Sequence, residues 1–394
     1  MIYRRFGRTG LEVPVLSAGF MRAMHSWQAL PDTAIPPVSQ QNIEQVVRTA
    51  LELGINHFET AHAYGTSEQQ LGLALRDIPR ESFLLQTKVQ PTPNPKRFIE
   101  NFYTSLNRLR VDRVDLLAIH GMNDYQSLWQ VCRENGCFAA ARRLQKEGKV
   151  GAIGFSGHGP VDVIVEAIRF GDDGGFDYVN LHWYYIYQVN SRALEQAAER
   201  DMGVFIISPT DKGGMLQDPP DMFRQLCRPL EPMVFNDAYC LTRPEVHTIS
   251  IGATRPADFT THVTALDHLA AMDMIAEIDA RCRRAMIRAT GFPRPEALWS
   301  KLPPWDRTPG LINIPFILWL YNLARGWGLL TYCRRRYNKL GCDVKWVPGN
   351  NGAGARRHDL KSIAKNAGFE NDELVCLLEE AHRLLSQKKG EEHA

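Results

Sequence analysis

Residues 43–65, IEQVVRTALELGINHFETAHAYG, contain the structural unit that repeats through most of this chain. A helix is predicted over Gln40–Leu53. Its apolar residues are spaced i, i+3, i+4, i+7 and i+8 and so form one stripe: Ile43, Val46, Val47, Ala50 and Leu51. Gly54 ends that helix, and the apolar run Ile55–Thr60 predicts a strand. Glu59 and Tyr64 lie at and just beyond the end of this strand.

The same alternation of helix and strand continues to about residue 250. The predicted strands are Val15–Phe20, Ile55–Thr60, Phe83–Lys88, Val114–His120, Gly151–Ser156, Tyr178–His182, Val204–Ser208 and Thr248–Gly252. Further helices are predicted at Ser67–Arg76, Pro95–Arg110, Val161–Arg169 and Ser191–Arg200. Nearly continuous apolar strands are typical of parallel sheets buried on both faces. Eight alternations favour a (β/α)8 TIM barrel, although the pattern also permits an open doubly wound sheet.

Two further segments frame the predicted barrel. Residues 1–14 place Arg8-Thr9-Gly10 between short extended pieces, which predicts a hairpin that caps the bottom of the barrel. Beyond about residue 262 the sequence becomes helical and rich in aromatic residues, including Trp299, Trp305, Trp319, Trp327 and Trp346. We therefore predict a barrel domain over residues 1–265 and a helical C-terminal extension over residues 266–394.

Composition and charge narrow the class of protein. Apolar residues make up 44% and charged residues 23% of the chain, as in ordinary soluble globular proteins. A formal net charge of +2 gives no reason to expect nucleic acid or an anionic membrane as the main partner. We expect no secretory signal, because Met1–Arg5 leads into polar sequence without an apolar run of 7–15 residues. We expect no bilayer span, because the most apolar stretch, Leu311–Leu323, is short and interrupted. The eight cysteines lack C-x-x-C and zinc-type spacing, so reduced thiols, no metal site and a cytoplasmic location are expected.

Polar side chains stand at the C-terminal ends of five predicted strands: Glu59, Lys88, His120, Ser156 and Asn180. Active sites of α/β barrels lie at these strand ends. We therefore expect these side chains to converge on one mouth of the barrel.

Over roughly residues 1–260 the chain resembles the aldo-keto reductases. Tyr3–Leu11 is similar to the family's N-terminal hairpin, and Gly148–Ser156 is similar to its fifth-strand segment. Glu59-Thr60-Ala61-x-x-Tyr64-Gly65 resembles the family's Asp-Thr-Ala-x-x-Tyr-Gly segment. The resemblance implies NADPH (or NADH) as cofactor, a small carbonyl substrate, and a catalytic tetrad formed by Glu59, Tyr64, Lys88 and His120.

The proposed roles in the tetrad follow from elementary chemistry. Hydride delivered to a carbonyl carbon leaves an alkoxide, which needs a proton from a nearby acid. As the resemblance implies, Tyr64 is that general acid, and Lys88 is expected to lower its pKa from the ordinary value near 10 by Coulomb attraction. A carboxylate behind Lys88 would hold the ammonium in place, and His120 would orient the substrate oxygen. Glu59 stands where most of the family has Asp, which changes the reach of that carboxylate.

The resemblance also implies cofactor contacts from Met21, Ser156, Asn180, Ile207, Ser208, Gly252 and Arg255. Ser156 and Asn180 match the positions that hold the nicotinamide carboxamide. Three features depart from the family pattern: Gly157 replaces an Asn, Ile207 replaces a stacking aromatic, and the phosphate-binding residues align with Gly252, Ala253 and Asp258. Arg255 is the remaining candidate for the 2′-phosphate of NADPH.

The extension has a separate resemblance. Gly310–Pro315 and Trp346–Gly349 are similar to an appendage of some microbial members that often holds iron–sulfur clusters on C-x-x-C-x-x-C-x-x-x-C-P runs. Cys333, Cys342 and Cys376 are isolated, so this extension lacks the cluster ligands. A cluster-free module that packs on the barrel, self-associates or binds a protein partner is expected.

Three functions remain open at this point. The first is NAD(P)H-dependent reduction of an aldehyde or ketone. The second is a catalytically weak or inactive barrel that senses redox state or binds partners. The third is an unrelated barrel enzyme, such as an aldolase in which Lys88 forms a Schiff base. Substrate specificity is assigned to loops at His25–Val38 and Met122–Cys137 and to the extension, and metal ligation by His158 and His182 is disfavoured because no partner ligand is suitably spaced.

Overall fold

A computed structural model describes residues 1–342, 344, 347–370 and 372–386, so that Trp346 lies outside the described residues. Eight parallel strands form a closed barrel in chain order, with the last strand paired to the first. The strands are β3 (Leu16–Gly19), β4 (His57–Glu59), β5 (Leu84–Val89), β6 (Val114–His120), β7 (Val150–Ser156), β8 (Tyr178–Leu181), β9 (Gly203–Ile206) and β10 (Thr248–Ile251). The predicted TIM barrel is confirmed, and the open doubly wound sheet is excluded.

The N-terminal hairpin is also confirmed. Strand β1 (Tyr3–Arg5) pairs antiparallel with β2 (Glu12–Pro14), and a 3-10 turn at Gly7–Thr9 connects them. Phe6 is fully buried and packs on the ring of Tyr178, with 5.5 Å between centroids. A side chain at Gly7 would overlap the backbone of Gly203, and its φ of +53° lies in the left-handed region. The hairpin therefore closes the end of the barrel opposite the C-terminal ends of the strands.

Within residues 1–270, all of which the structure describes, helices follow the strands; five of the ten lie where they were predicted, near Gln40–Leu53, Ser67–Arg76, Pro95–Arg110, Val161–Arg169 and Ser191–Arg200, and the other five were not predicted. The ten helices are α1 (Pro37–Glu52), α2 (Ser67–Leu75), α3 (Pro95–Leu109), α4 (Tyr125–Cys132), α5 (Cys137–Lys146), α6 (Val161–Arg169), α7 (Ser191–Glu199), α8 (Asp221–Cys227), α9 (Pro232–Leu241) and α10 (Phe259–Thr264). The segment Met122–Cys137, predicted as a loop, instead contains α4. A capping box between Asp124 and Ser127 starts this helix, because the two residues satisfy each other's backbone donors.

The described chain forms two compact units. The first contains residues 1–185, 190–212 and 236–270, and the second contains residues 186–189, 213–235 and the described part of 271–394. The predicted domain boundary between residues 265 and 266 stays a prediction.

The C-terminal region is helical, as predicted. It comprises α11 (Met272–Thr290), α12 (Ile314–Trp327), α13 (Leu330–Tyr337), α14 (Lys361–Ala367) and α15 (Glu373–Leu385). Most residues of α12 are buried, and Trp327 stacks on Phe223 while donating a hydrogen bond to the carbonyl of Cys282 at 2.9 Å. Cys333 is buried, whereas Cys342 and Cys376 are exposed. None of the helices in the described ranges is long and apolar enough to cross a membrane.

Candidate active site

Four predicted site residues meet at the C-terminal ends of neighbouring strands. Glu59 ends β4, Lys88 is the penultimate residue of β5, and His120 ends β6. Tyr64 lies in the turn between β4 and α2. A side chain at Gly65 would overlap the carbonyl oxygen of Ser26, so this glycine allows the turn to pass closely beneath the preceding loop.

Lys88 is the centre of this group. Its Nζ forms an ion pair with Glu59 Oε1 and donates a hydrogen bond to the carbonyl oxygen of Thr60 at 2.8 Å. The same Nζ lies 4.7 Å from the ring centroid of Tyr64. The rings of Tyr64 and His120 are nearly perpendicular, with centroids 5.7 Å apart. The structure thus brings together all four residues of the predicted tetrad.

The surroundings of Glu59 accommodate its side chain, which is one methylene longer than the Asp of most family members. Glu59 Oε2 accepts a hydrogen bond from Ser250 Oγ at 3.1 Å. A Cβ at Gly19 would lie 2.5 Å from that hydroxyl and 2.9 Å from Glu59 Oε2. Glu59 therefore fits because residue 19 has no side chain. Sequence reasoning missed Gly19 and Ser250, although a glycine inside a strand is a known signal of close approach.

Burial controls the protonation of the site. It raises the pKa of the Tyr64 hydroxyl and lowers the pKa of Lys88 well below its ordinary value. The sequence-based expectation that Lys88 lowers the pKa of Tyr64 gives the opposite direction, because it omitted the desolvation of both groups. Burial, with smaller effects from Lys88 and Lys212, lowers the pKa of His120 to about 3. Tyr64 and His120 are therefore both uncharged at neutral pH.

Ser156 and Asn180 fit a nicotinamide carboxamide. They are partners in the pairing of β7 with β8, and His120 is the partner of Ser156 on the other side. Ser156 Oγ accepts a hydrogen bond from the Gly121 N–H at 3.0 Å, which leaves its proton to donate. Both amide atoms of Asn180 are buried and have no hydrogen-bond partner in the described part of the chain. A carboxamide, with one carbonyl and one NH₂ group, complements these atoms.

The remaining predicted cofactor residues lie in different surroundings. Ile207 is buried with the apolar side chains of the barrel core, and Ser208 has a left-handed φ of +58°. Gly252 lies directly after β10 and faces the side chain of Arg22, the neighbour of Met21: a Cβ at Gly252 would be 3.0 Å from Arg22 Cδ.

The two arginines beside the last strand differ in their surroundings. The side chain of Arg255 is 74% exposed and pairs with Asp258 at 3.1 Å. Arg22 is half-buried and lies against Gly252. The sequence-based prediction named Arg255 for the 2′-phosphate and did not consider Arg22; the choice of Arg255 stays a prediction. Arg22 lies three positions after the end of β3.

Comparisons of the sequence with known proteins identify its family. The model of the aldo/keto reductase family matches residues 16–230. L-galactose dehydrogenase from Arabidopsis thaliana is 25% identical over 311 residues, which cover 70% of this chain and 93% of that protein. D-threo-aldose 1-dehydrogenase from a Pseudomonas species is 26% identical over 245 residues, which cover 54% of this chain and 70% of that protein.

Solved structures show the same fold. The holo form of an aldo-keto reductase from Bacillus halodurans superimposes with a TM-score of 0.58 and 21% identity, covering 71% of this chain and 96% of that chain. Because the family model spans more than half of the sequence, this chain belongs to the aldo/keto reductase family.

Proposed function

We propose that this oxidoreductase uses NADPH or NADH to reduce an aldehyde or a ketone to an alcohol, with Tyr64 as the general acid. One observation carries the proposal: Lys88 is paired with Glu59 and lies 4.7 Å from the ring centroid of Tyr64, beside His120 at the mouth of the barrel. Protonation of an alkoxide requires a nearby acid; a neighbouring cation stabilises the anion that the acid leaves, and a neutral histidine can orient the substrate oxygen.

A reduced nicotinamide, when bound, supplies the hydride. The chain's own residues then manage the proton. Tyr64 keeps its proton at neutral pH because burial raises its pKa, and it can give that proton to an alkoxide, which is a stronger base. Lys88 stabilises the resulting tyrosinate, and Glu59 keeps Lys88 in position. His120 is uncharged at neutral pH, so it can hydrogen-bond to the substrate oxygen but is not the acid that protonates it.

Ser156 and Asn180 would hold the carboxamide of the cofactor, as their free donor and acceptor atoms suggest. We assign the phosphate contact to Arg22 rather than to Arg255. Arg255 is already paired with Asp258 on the surface, whereas Arg22 is half-buried against Gly252. NADPH is the proposed cofactor and NADH the alternative.

The test is a titration of the purified chain with NADPH and with NADH, followed by quenching of tryptophan fluorescence. We expect a dissociation constant on the order of micromolar or tighter for one of them. Asn180→Leu should weaken binding about tenfold or more, because the carboxamide loses a buried partner. Asn107→Leu, at an exposed position of α3, is the matched control and should leave the affinity unchanged. Binding of neither dinucleotide below about a millimolar would contradict the proposal.

A second candidate is a catalytically weak barrel that senses redox state or serves as a scaffold for partners. The supporting observations are the replacement of the family's stacking aromatic by Ile207 and the surface pairing of Arg255. Tight cofactor binding with no turnover of any carbonyl compound would favour this candidate. The aldolase alternative is disfavoured, because Lys88 is 1% exposed, paired with Glu59 and hydrogen-bonded to a backbone carbonyl.

A further inference from the structure

A second polar group lies at the same end of the barrel as the tetrad. His158 stands two residues after β7, His182 follows β8 directly, and Lys212 lies in the segment after β9. Lys212 Nζ is 3.2 Å from His158 Nδ1 and 3.3 Å from His182 Nε2. Those two imidazole nitrogens also contact each other. We call His158, His182 and Lys212 the nitrogen cluster.

The hydrogen bond of Tyr184 fixes the tautomer of His182. The Tyr184 hydroxyl donates a hydrogen bond to the carbonyl oxygen of Ile207. Its oxygen contacts His182 Nδ1, so this nitrogen must carry the hydrogen. A neutral His182 therefore turns the lone pair of Nε2 toward the nitrogen cluster.

While Lys212 is an ammonium, which can only donate, the three contacts within the nitrogen cluster cannot all be hydrogen bonds. If Lys212 donates to both imidazoles, two lone pairs face each other between His158 and His182. If His158 Nδ1 carries a hydrogen instead, this N–H and the Lys212 ammonium are two donors in contact. Either protonation state leaves one close contact without a proper donor and acceptor.

An oxyanion removes this conflict, because carboxylate and phosphate oxygens accept hydrogen bonds from all three groups once the imidazoles are protonated. The electrostatic surroundings agree. Burial lowers the pKa of His158, and the charged groups that lower it further, Lys212, His182, His120 and Lys88, are all bases. Lys212 also lowers the pKa of His120, which places the nitrogen cluster within electrostatic range of the proposed catalytic histidine.

We infer that the nitrogen cluster binds an oxyanionic group of the substrate, so that the preferred substrate is an aldehyde or ketone bearing a carboxylate or a phosphate. This inference rests on the proposed carbonyl reduction and adds the class of substrate. It gives His158, His182 and Lys212 a role in binding and leaves proton transfer to Tyr64.

The first experiment measures kcat/KM for two matched pairs of substrates. Butanal is compared with 4-oxobutanoate, and glycolaldehyde with glycolaldehyde phosphate. We expect the anionic member of at least one pair to be preferred by about 10- to 100-fold, the effect of one hydrogen bond to a charged group. The pair that shows the preference distinguishes a carboxylate from a phosphate.

Lys212→Met should bring this preference close to one, mainly by raising KM for the anionic substrate. Lys146→Met removes an exposed lysine of α5 and should keep the preference. If the wild-type chain reduces the neutral and anionic members equally well, the inference is overturned and the proposed function stands.

The second experiment does not require turnover. Succinate and inorganic phosphate are titrated into the full chain by calorimetry, in buffers of different ionisation enthalpy. We expect binding that depends on Lys212 and takes up protons, because the imidazoles become charged. If no aldehyde is reduced, the proposed function fails, and this titration alone tests anion binding by the nitrogen cluster. The inference is overturned if neither anion binds, or if Lys212→Met binds the anion as tightly as the wild type.

Discussion

Glu59 and Lys88 form an ion pair beside Tyr64, and both side chains are almost completely buried, with 5% and 1% of their surfaces exposed. Removing two charges from water is costly, and their attraction offsets this cost only while both partners are present. The pair therefore links the stability of the barrel to the proposed chemistry of its mouth.

Lys88→Met should lower the free energy of unfolding by about 3 kcal/mol or more, because it leaves the Glu59 carboxylate buried without a counter-charge. The double variant Lys88→Met with Glu59→Gln removes both charges and should recover part of that loss. Urea denaturation of the three proteins measures the difference. Equal stability of the single and double variants would argue against a buried ion pair.

Ser250 and Gly19 should matter through the position of Glu59. Glu59→Asp shortens the side chain, so the carboxylate cannot reach both Lys88 and Ser250, and kcat should fall by up to about 100-fold. Ser250→Ala should lower kcat by less and leave cofactor affinity unchanged. Ser300→Ala, at an exposed position of the second unit, is the control. A higher kcat in Glu59→Asp than in the wild type would show that the contacts of Glu59 with Ser250 and Gly19 do not contribute to catalysis.

Tyr64 should ionise above the ordinary tyrosine pKa of about 10, because burial raises its pKa. The measurement is the ultraviolet difference signal of tyrosinate in the wild-type protein and in Tyr64→Phe during an alkaline titration. We expect the two curves to coincide up to about pH 10. A tyrosinate signal that belongs to Tyr64 and develops well below that pH would instead show that the Coulomb effect of Lys88 exceeds the desolvation.

His57 should make the protein sensitive to acid. It is a fully buried residue of β4, its Nδ1 lies 2.8 Å from Ser17 Oγ, and its pKa is lowered to about 3, mainly by burial. Between pH 6.5, its ordinary pKa, and about 3 the unfolded chain binds one proton more at this residue, so stability falls as the pH falls. This single group contributes a slope of about 1.4 kcal/mol per pH unit.

The check is the pH dependence of the free energy of unfolding in His57→Asn and in His25→Asn. His25 is exposed and serves as the control. The slope should become smaller in the first variant and remain that of the wild type in the second. An unchanged slope in His57→Asn would mean that the buried imidazole is already protonated in the folded state.

Apolar periodicity predicted the barrel because it depends on which faces are buried. Strand β6 and helix α6 have the predicted limits, Val114–His120 and Val161–Arg169. Helix α4 was missed because its signal is a polar capping pair, Asp124 and Ser127, rather than an apolar stripe.

The candidate site was predictable only in part. The tetrad could be located because each member stands at or just after a strand end. The contacts of Glu59 with Ser250 and Gly19 connect the second barrel strand with the last and first, and no local pattern records such contacts. The direction in which the pKa of Tyr64 is shifted depends on burial, which exists only after folding. The nitrogen cluster likewise joins residues from three separate segments.

The role of Tyr64 is the central claim, and the most direct measurement is the rate of NADPH oxidation by an aldehyde in the wild-type chain and in Tyr64→Phe. We expect kcat to fall by about 100- to 10,000-fold in the variant, the usual contribution of a general acid, while NADPH binds equally well to both proteins. Retention of the wild-type kcat by Tyr64→Phe would contradict the account, because the proton would then come from another group.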